Sequence, residues 1–362
     1  MIKDESFSKQ WILGMRQKAE YRKSHPELME KMIYALYLVE KLSEQNISFV
    51  FKGGTCLTLL FPKLTRFSID VDIIAQINAK TIEDVLKIIV RDSKFSRFER
   101  DEKRSYADGF PKAHYELFFV SEYDDSEKNI LLDVVFDESP YRQMVGTEIK
   151  NDFLNIDAKP TTIEVPSVNS LTGDKLTAFA PNTIGIPYNK EKNLQIIKQL
   201  FDLGLLYNVV DDLSIVYVTF KKICEAQFGY QNKKLTVEEV LNDIIDTAFL
   251  LGMGNKNKGD DKVKYDELFD GVNKFKTFLP LAKYSVFDAV EAASKAALIA
   301  SKLLVGDFNP LPGLNPINYK PDQYKISNVK FTPLQKMIKG LPNLTLFYWY
   351  NVSELLNESK GS

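Results

Sequence analysis

Two aspartates separated by one residue, Asp70 and Asp72, occupy an otherwise apolar stretch of the sequence. Side chains alternate along a β-strand, so these two carboxylates are predicted to point to the same face. Two like charges held close together repel each other, and burying them is costly unless something offsets the repulsion. A divalent cation is the usual offset, so this spacing favours a metal site.

A glycine pair, Gly53 and Gly54, lies between a predicted strand and a short predicted helix just before the aspartates. Glycines in this position let the backbone approach a phosphate group, toward which the helix N–H groups point. The stretch is not a Walker loop, because Lys52 precedes the glycines and no Gly-Lys-Ser/Thr sequence follows them. The pair therefore favours a phosphate-binding turn, and the alternative of an ordinary turn stays open.

Polar residues at steps of two extend back from the aspartates. In a strand over residues 68–74, Ser68, Asp70 and Asp72 share one face, and Arg66 continues the same pattern. The intervening apolar residues occupy the other face and can pack on a helix. The pattern predicts a face that holds a polar ligand, although salt bridges on an edge strand are an alternative for the two aspartates.

A third carboxylate, Asp133, lies among apolar residues in a strand-like run over residues 129–136. Three carboxylates from two strands, beside a glycine turn, can hold two magnesium ions over a nucleoside triphosphate. The metals would neutralise the phosphates and activate an attacking hydroxyl. Two other roles stay open for Asp133, namely a strand-end cap and a partner of Arg66.

The pattern K-G-G-T-x-L followed by R-F-S-x-D-x-D resembles the AbiEii/AbiGii toxin family, a branch of the polymerase-β-like nucleotidyltransferase superfamily. The resemblance covers roughly residues 51–203. It implies that Gly53, Gly54 and Ser68 belong to the phosphate-binding side, where Arg66 is a further nucleotide-binding candidate. It also implies that Asp70 and Asp72 are metal ligands, with Asp133 as the third.

Two later motifs also match this family. The family has a helix lysine in an E-K-L motif, and here G-D-K-L makes Lys175 its match, with Asp174 in place of the glutamate. The family also has a helix with the motif K/R-D-L-x-D-L, and this chain has K-Q-L-F-D-L at the corresponding place. Lys198 and Asp202 match the motif, whereas Gln199 replaces its first acid. The resemblance implies catalytic roles for Lys175 and Asp202. The alternatives are an exposed helix residue for Lys175, and a surface charge or a partner of Lys198 for Asp202.

The elements that must position these residues suggest an α+β fold. Strand-like and helical runs alternate in the first half, including a hairpin over residues 114–120 and 129–136, with His114 at a strand start in a structural role. We predict a nucleotidyltransferase-like catalytic domain over residues 1–190, with a mixed sheet flanked by helices. Residues 191–362 are predicted to form a helical bundle that serves as an acceptor-binding wall.

Within that bundle the predicted helices cover residues 193–207, 211–228, 236–251 and 285–304, and residues 254–264 read as a polar loop. The aromatic run at residues 346–350 favours core packing of a terminal helix over a base-stacking platform. The paired lysines Lys221-Lys222 and Lys233-Lys234, together with those of residues 256–264, are candidate RNA contacts, although such lysines are usually just solvated.

Composition narrows the class of protein. A chain of 362 residues with 44% hydrophobic and 27% charged residues is ordinary for a soluble globular protein of about two domains. The net charge of -2 provides no global basic field for nucleic acid. The distant pair Cys56 and Cys224 excludes a disulfide framework and fits a reducing cytoplasm. Neither a signal peptide nor a membrane span is predicted.

The leading functional prediction is therefore a cytoplasmic, metal-dependent nucleotidyltransferase that uses Mg²⁺ or Mn²⁺ and a nucleoside triphosphate (NTP). The superfamily resemblance implies an acceptor such as a tRNA 3′ end or a protein hydroxyl, and the family resemblance implies a toxin countered by a separately encoded antitoxin. Two alternatives stay open: an enzyme that modifies a protein hydroxyl, and a non-catalytic binding protein with the same fold.

Overall fold

The structure, a computed structural model, describes residues 1–102, 111–189, 191–280, 283–341 and 343–358. The chain forms two compact units. The first unit comprises Met1–Ser167 and Thr277–Lys283, and the second comprises Val168–Lys276 and Tyr284–Ser362. A short segment after residue 276 thus belongs to the first unit, although the residues on both sides of it belong to the second.

The described part of the first unit contains four α-helices and seven strands. The helices are α1 (Lys9–Gln17), α2 (Pro26–Ser43), α3 (Gly53–Leu60) and α4 (Ala79–Asp92). The strands are β1 (Val50–Lys52), β2 (Val71–Ile74), β3 (Arg97–Arg100), β4 (Lys112–Val120), β5 (Glu127–Val135), β6 (Met144–Glu148) and β7 (Thr162–Pro166).

Five strands form one mixed sheet in the order β1-β2-β5-β4-β3. Strands β2 and β5 run parallel, whereas the other neighbouring strands are antiparallel. The predicted hairpin is confirmed by β4 and β5, and the predicted α+β class is confirmed as well. Strands β6 and β7 form a separate antiparallel pair, and neither β3 nor β6 was predicted.

Strand β2 is shorter than predicted. It begins at Val71, so residues 68–70 lie outside the sheet and the prediction of a strand from residue 68 is wrong. The backbone here bonds elsewhere: the Phe67 N–H donates to the Phe278 carbonyl at 2.8 Å, and the Asp70 carbonyl accepts from the Thr55 hydroxyl at 2.5 Å. Arg66 and Ser68 therefore approach the site from an extended segment and not from a strand face.

Helix α2 supplies much of the apolar core behind the sheet. Pro26 occupies its first turn, as predicted, where the missing N–H is not needed. The ring of Tyr34 stacks on Phe119 of β4 with centroids 3.6 Å apart, and Phe7 and Phe95 pack edge-on against it. This aromatic packing covers one face of the sheet, so polar side chains can project from the other face.

The second unit is helical in the part of the chain that the structure describes. Its α-helices are α5 (Val168–Ala178), α6 (Asn193–Leu206), α7 (Leu213–Tyr230), α8 (Val237–Met253), α9 (Asp260–Phe275), α10 (Val286–Leu304), α11 (Thr332–Ile338) and α12 (Thr345–Glu358). The alanine-rich α10 is almost wholly buried and packs against α6, α8 and α12. The predicted helical bundle is confirmed.

Helix α9 corrects the loop predicted over residues 254–264, because it begins at Asp260. Two acidic residues in its first turn, Asp260 and Asp261, favour the helix N-terminus. The side chains of Tyr265, Leu268 and Phe275 are buried on one face and hold the helix in the bundle. The first residues of α9 are mostly polar, so the sequence was interpreted as a loop there.

Helix α5 explains why the two units divide after Ser167 and not at the predicted domain boundary of residue 190. The backbone of Gly173 lies so close to α7 that an added Cβ would be 2.7 Å from the Val216 carbonyl oxygen and 2.9 Å from the Phe220 nitrogen. This close packing places α5, and with it Lys175, among the helices of the second unit.

The terminal aromatic run packs in the core as predicted, since Trp349 of α12 is fully buried against Phe331 and Phe249. None of the helices within the described residues is both long enough and apolar enough to span a membrane.

Candidate active site

One cross-strand row of the first unit's sheet carries four polar residues. The strand register pairs Lys52 of β1 with Asp72 of β2, Asp72 with Asp133 of β5, and Asp133 with His114 of β4. Register partners in a sheet project to the same face, and the apolar neighbours of both aspartates along their strands are buried. The sheet therefore places the two predicted ligands Asp72 and Asp133 side by side.

His114 is the partner of Asp133. Its Nδ1 atom lies 2.5 Å from Asp133 Oδ1, and its side chain is 8% exposed whereas that of Asp133 is 30% exposed. A hydrogen-bonded imidazole fixes the carboxylate against its strand. The predicted roles of Asp133 as a strand-end cap or a partner of Arg66 did not include this contact. The hairpin register, which aligns the two residues, was the signal that could have revealed it.

Helix α3 begins directly against this row. Gly53 has φ of 82°, and a Cβ on it would lie only 2.2 Å from Asp72 Oδ2. Glycine is therefore required here both for the backbone conformation and for the close approach of the carboxylate. The absent side chain lets the Asp72 carboxylate rest on the first turn of α3.

The next glycine makes room for a buried cation. A Cβ on Gly54 would lie 2.3 Å from Arg66 Nη2 and 3.0 Å from Ser68 Oγ. Arg66 is 3% exposed, and its Nη1 donates to the Phe67 carbonyl at 3.1 Å. The guanidinium and the positive end of α3 thus meet at one point, which is an arrangement that attracts anions such as phosphate.

Replacing Gly53 with alanine is expected to displace the Asp72 carboxylate. Gly259→Ala is the matched control, because Gly259 also has positive φ but has no atom within 4 Å of an added Cβ. Both variants should lose roughly 1–3 kcal/mol of unfolding free energy through backbone strain. Only Gly53→Ala should also weaken Mn²⁺ binding, measured by titration. Equal Mn²⁺ binding in the two variants would contradict this role for Gly53.

Oxygen ligands for a divalent cation are present in this row. Asp72 and Asp133 are register neighbours in the row, whereas Asp70 lies two residues before Asp72 and outside the strand, so the strand face that was predicted to carry both Asp70 and Asp72 carries only Asp72. The described ranges contain no group of three His, Cys, Asp or Glu side chains arranged to hold a metal. Mg²⁺, however, usually takes one or two carboxylates and completes its shell with substrate phosphates and water. The donor set fits a cation that binds together with a nucleotide, and the three ligand assignments stay predictions.

The second unit contains a buried ion pair formed by two of the predicted residues. Lys175 Nζ on α5 lies 2.9 Å from Asp202 Oδ2 on α6 and donates to Gln199 Oε1 at 2.8 Å. Lys175 is 3% exposed and Asp202 is fully buried. The alternatives of an exposed lysine and a surface aspartate are therefore wrong. The amide oxygen of Gln199, the residue that stands in place of the first acid of the K/R-D-L-x-D-L motif, accepts a hydrogen bond from the lysine.

An aromatic cluster lies near Asp202 of this pair. The ring of Tyr284 packs against Phe201 at 5.5 Å and Phe275 at 5.2 Å. Burial raises the pKa of Tyr284, and the carboxylates of Asp288 and Asp202 raise it further. By contrast, the candidate RNA-contacting residues Lys221 and Lys222 are exposed on α7, as solvated lysines are.

The first unit thus brings together six of the predicted residues: Gly53, Gly54, Arg66, Ser68, Asp72 and Asp133. The backbone carbonyl of Asp70 reaches the same helix through Thr55. The second unit brings together Lys175 and Asp202. Sequence reasoning did not assign Lys52 to the site and gave His114 only a structural role, and these two residues extend the aspartate row on both sides.

A mixed sheet with paired carboxylates beside a helix that starts at a glycine pair fits the nucleotidyltransferase class, as the sequence resemblance implied. The family model described as "Nucleotidyl transferase AbiEii toxin, Type IV TA system" matches residues 36–274. The chain belongs to this family.

Two solved structures are similar to this chain. One is a candidate nucleotidyltransferase from H. pylori, with 16% identity and a TM-score of 0.44, over 77% of this chain and 94% of that chain. The other is JHP933 from Helicobacter pylori, with 16% identity and a TM-score of 0.44, over 77% of this chain and 91% of that chain. No curated protein matches the sequence.

Proposed function

We propose that the protein is a metal-dependent nucleotidyltransferase that moves a nucleoside monophosphate from an NTP to an acceptor hydroxyl. The acceptor oxygen loses its proton to solvent and bonds to the α-phosphorus, the bond from that phosphorus to the oxygen it shares with the β-phosphate breaks, and pyrophosphate leaves with that oxygen. The observation that carries this proposal is the placement of Asp72 and Asp133 side by side, with Asp72 against the first turn of α3.

In this proposal the triphosphate binds at the start of α3. The N–H groups of Gly53 and Gly54, the Arg66 guanidinium and the Ser68 hydroxyl are its ligands, because all of them offer donors or positive charge at one point. Asp70, Asp72 and Asp133 would hold Mg²⁺ or Mn²⁺, which when bound neutralises phosphate charge and polarises the reacting oxygens. His114 keeps the Asp133 carboxylate oriented.

Lys175 and Asp202 have a proposed catalytic role in the same reaction. The Lys175 ammonium would make a charge-assisted contact with the triphosphate, and Asp202 would hold the lysine charged and in place. The burial of the pair supports the role of Asp202, since a lysine with 4% side-chain exposure needs a fixed anionic partner, and the contact of Lys175 with the triphosphate is the part that the activity test decides.

The proposed acceptor is RNA, such as a tRNA 3′ end, and the helical unit is its proposed binding wall. The family description, a toxin of a type IV toxin–antitoxin system, supports a toxin function and an antitoxin partner. Both cysteines are buried as thiols, which agrees with the proposed cytoplasmic location. A protein acceptor and a non-catalytic binding protein are the competing functions.

Incubation with each of the four α-labelled NTPs, Mg²⁺ and either bulk tRNA or cell lysate tests this function. We expect label in RNA from at least one NTP, and no label when a chelator is present. Label in protein would instead identify a protein-modifying enzyme. No incorporation from any NTP in either mixture, combined with measurable NTP binding, would favour the non-catalytic function.

A further inference from the structure

The hydroxyl of Thr55 joins helix α3 to the segment that precedes β2. Thr55 lies on the first turns of α3 and is fully buried. Its Oγ1 atom is 2.5 Å from the Asp70 carbonyl oxygen and 2.9 Å from Ser68 Oγ. One side chain thus contacts both a predicted phosphate-binding residue and a predicted metal ligand.

The Thr55 hydroxyl is the donor in both hydrogen bonds. A carbonyl oxygen only accepts, and a hydroxyl has a single proton to donate, so the Thr55 proton is shared between the Asp70 carbonyl oxygen and Ser68 Oγ. The Ser68 hydroxyl is the acceptor here, and this contact does not use its own proton. As a result Thr55 fixes the backbone at Asp70 and also holds the Ser68 side chain.

The segment over residues 66–70 depends on such contacts because it lies outside the strands of the sheet. One such contact is the hydrogen bond from the Phe67 N–H to the Phe278 carbonyl at 2.8 Å. Another is made by Thr55, which belongs to the same helix as Gly53 and Gly54. Thr55 therefore sets the distance between the start of α3 and the backbone of Asp70.

We propose that Thr55 is a positioning residue of the active site. It acts through Asp70 and Ser68 and keeps this predicted metal ligand and this predicted phosphate-binding residue at a fixed distance from the start of α3. This role rests on the proposed nucleotidyltransferase function. Thr55 itself contacts neither nucleotide nor metal in this scheme. Its loss should therefore affect the organisation of residues 67–72 before it affects NTP affinity.

The same helix offers a matched control. Thr58 is also buried, at 2% exposure, and its hydroxyl donates to the Thr55 carbonyl at 2.6 Å. That hydrogen bond is local to the helix and reaches no predicted site residue. Thr58→Val and Thr55→Val thus remove one buried hydroxyl each at nearly constant volume, and only the second change removes a link to Asp70.

The test compares the full chain with Thr55→Val, Thr55→Ser and Thr58→Val. Hydrogen–deuterium exchange of residues 67–72, Mn²⁺ binding with each NTP, and the kcat and KM of transfer are measured. In Thr55→Val we expect exchange to rise and kcat to fall by roughly ten- to a hundredfold, as small misplacements of reacting groups do. The KM for NTP should change far less, and Thr55→Ser should restore most of both properties.

Equal exchange, Mn²⁺ binding and kcat in Thr55→Val and Thr58→Val would overturn the positioning role. The same conclusion would follow if Thr55→Ser were as impaired as Thr55→Val. If the wild-type protein transfers no nucleotide at all, the proposed function fails instead. The exchange and Mn²⁺ measurements then still decide whether Thr55 organises residues 67–72.

Discussion

Asp72→Asn is expected to reduce metal-dependent nucleotide transfer strongly while the fold is retained. Asp72 is the central residue of the polar row, between Lys52 and Asp133 in the register and against Gly53 of α3. Asparagine keeps the size and one oxygen but removes the negative charge that a divalent cation needs. We expect kcat/KM for transfer to fall by roughly a hundred- to a thousandfold, the range seen when one strong electrostatic contact is removed.

Thermal unfolding without metal provides the second measurement for Asp72→Asn. Because the change removes the repulsion from Asp133 and also the favourable interaction with the positive end of α3, the two effects oppose each other and the melting temperature should change little. Asp84→Asn is the control, since Asp84 is an exposed carboxylate on α4 that pairs with Lys87. If the variant retains normal transfer, or if a chelator does not reduce transfer by the wild-type protein, Asp72 is not a ligand of a catalytic metal.

The strands and helices of the site were largely predictable because their residues follow simple periodicities. The apolar run around Asp133 predicted β5, and the glycine pair predicted the start of α3. The start of β2 was not predictable, because Phe67 bonds to a carbonyl contributed by residue 278. Such a long-range contact leaves no periodic pattern near Phe67 in the sequence.

The composition of the site shows the same division between local and long-range information. The spacing of Asp70 and Asp72 is visible in the sequence, but the pairing of His114 with Asp133 depends on the register of a hairpin. The Lys175–Asp202 pair depends on how α5 packs against α6, which the two motifs alone could not establish. Residue type and spacing therefore identified the candidates, whereas tertiary packing determined their partners.

The Lys175–Asp202 pair has the largest expected effect on stability. Removing one member of a buried ion pair leaves the other charge without compensation, which costs about 3–5 kcal/mol. Lys175→Met and Asp202→Asn should each lower the unfolding free energy by that amount, measured by denaturant titration. The double variant should be much less destabilised than the sum of the single variants, because neither charge is then left alone.

Transfer activity separates a structural role from a catalytic one. If Lys175 contacts the triphosphate, the double variant should recover stability but still show at least roughly a tenfold loss of kcat/KM, since a charge-assisted contact is missing. The control is the pair Lys302 and Asp307 of the same unit, whose lysine side chain is also buried, at 6% exposure. Lys302→Met with Asp307→Asn should change stability and leave kcat/KM unchanged. Recovery of activity together with stability in the Lys175→Met, Asp202→Asn variant would make that pair purely structural.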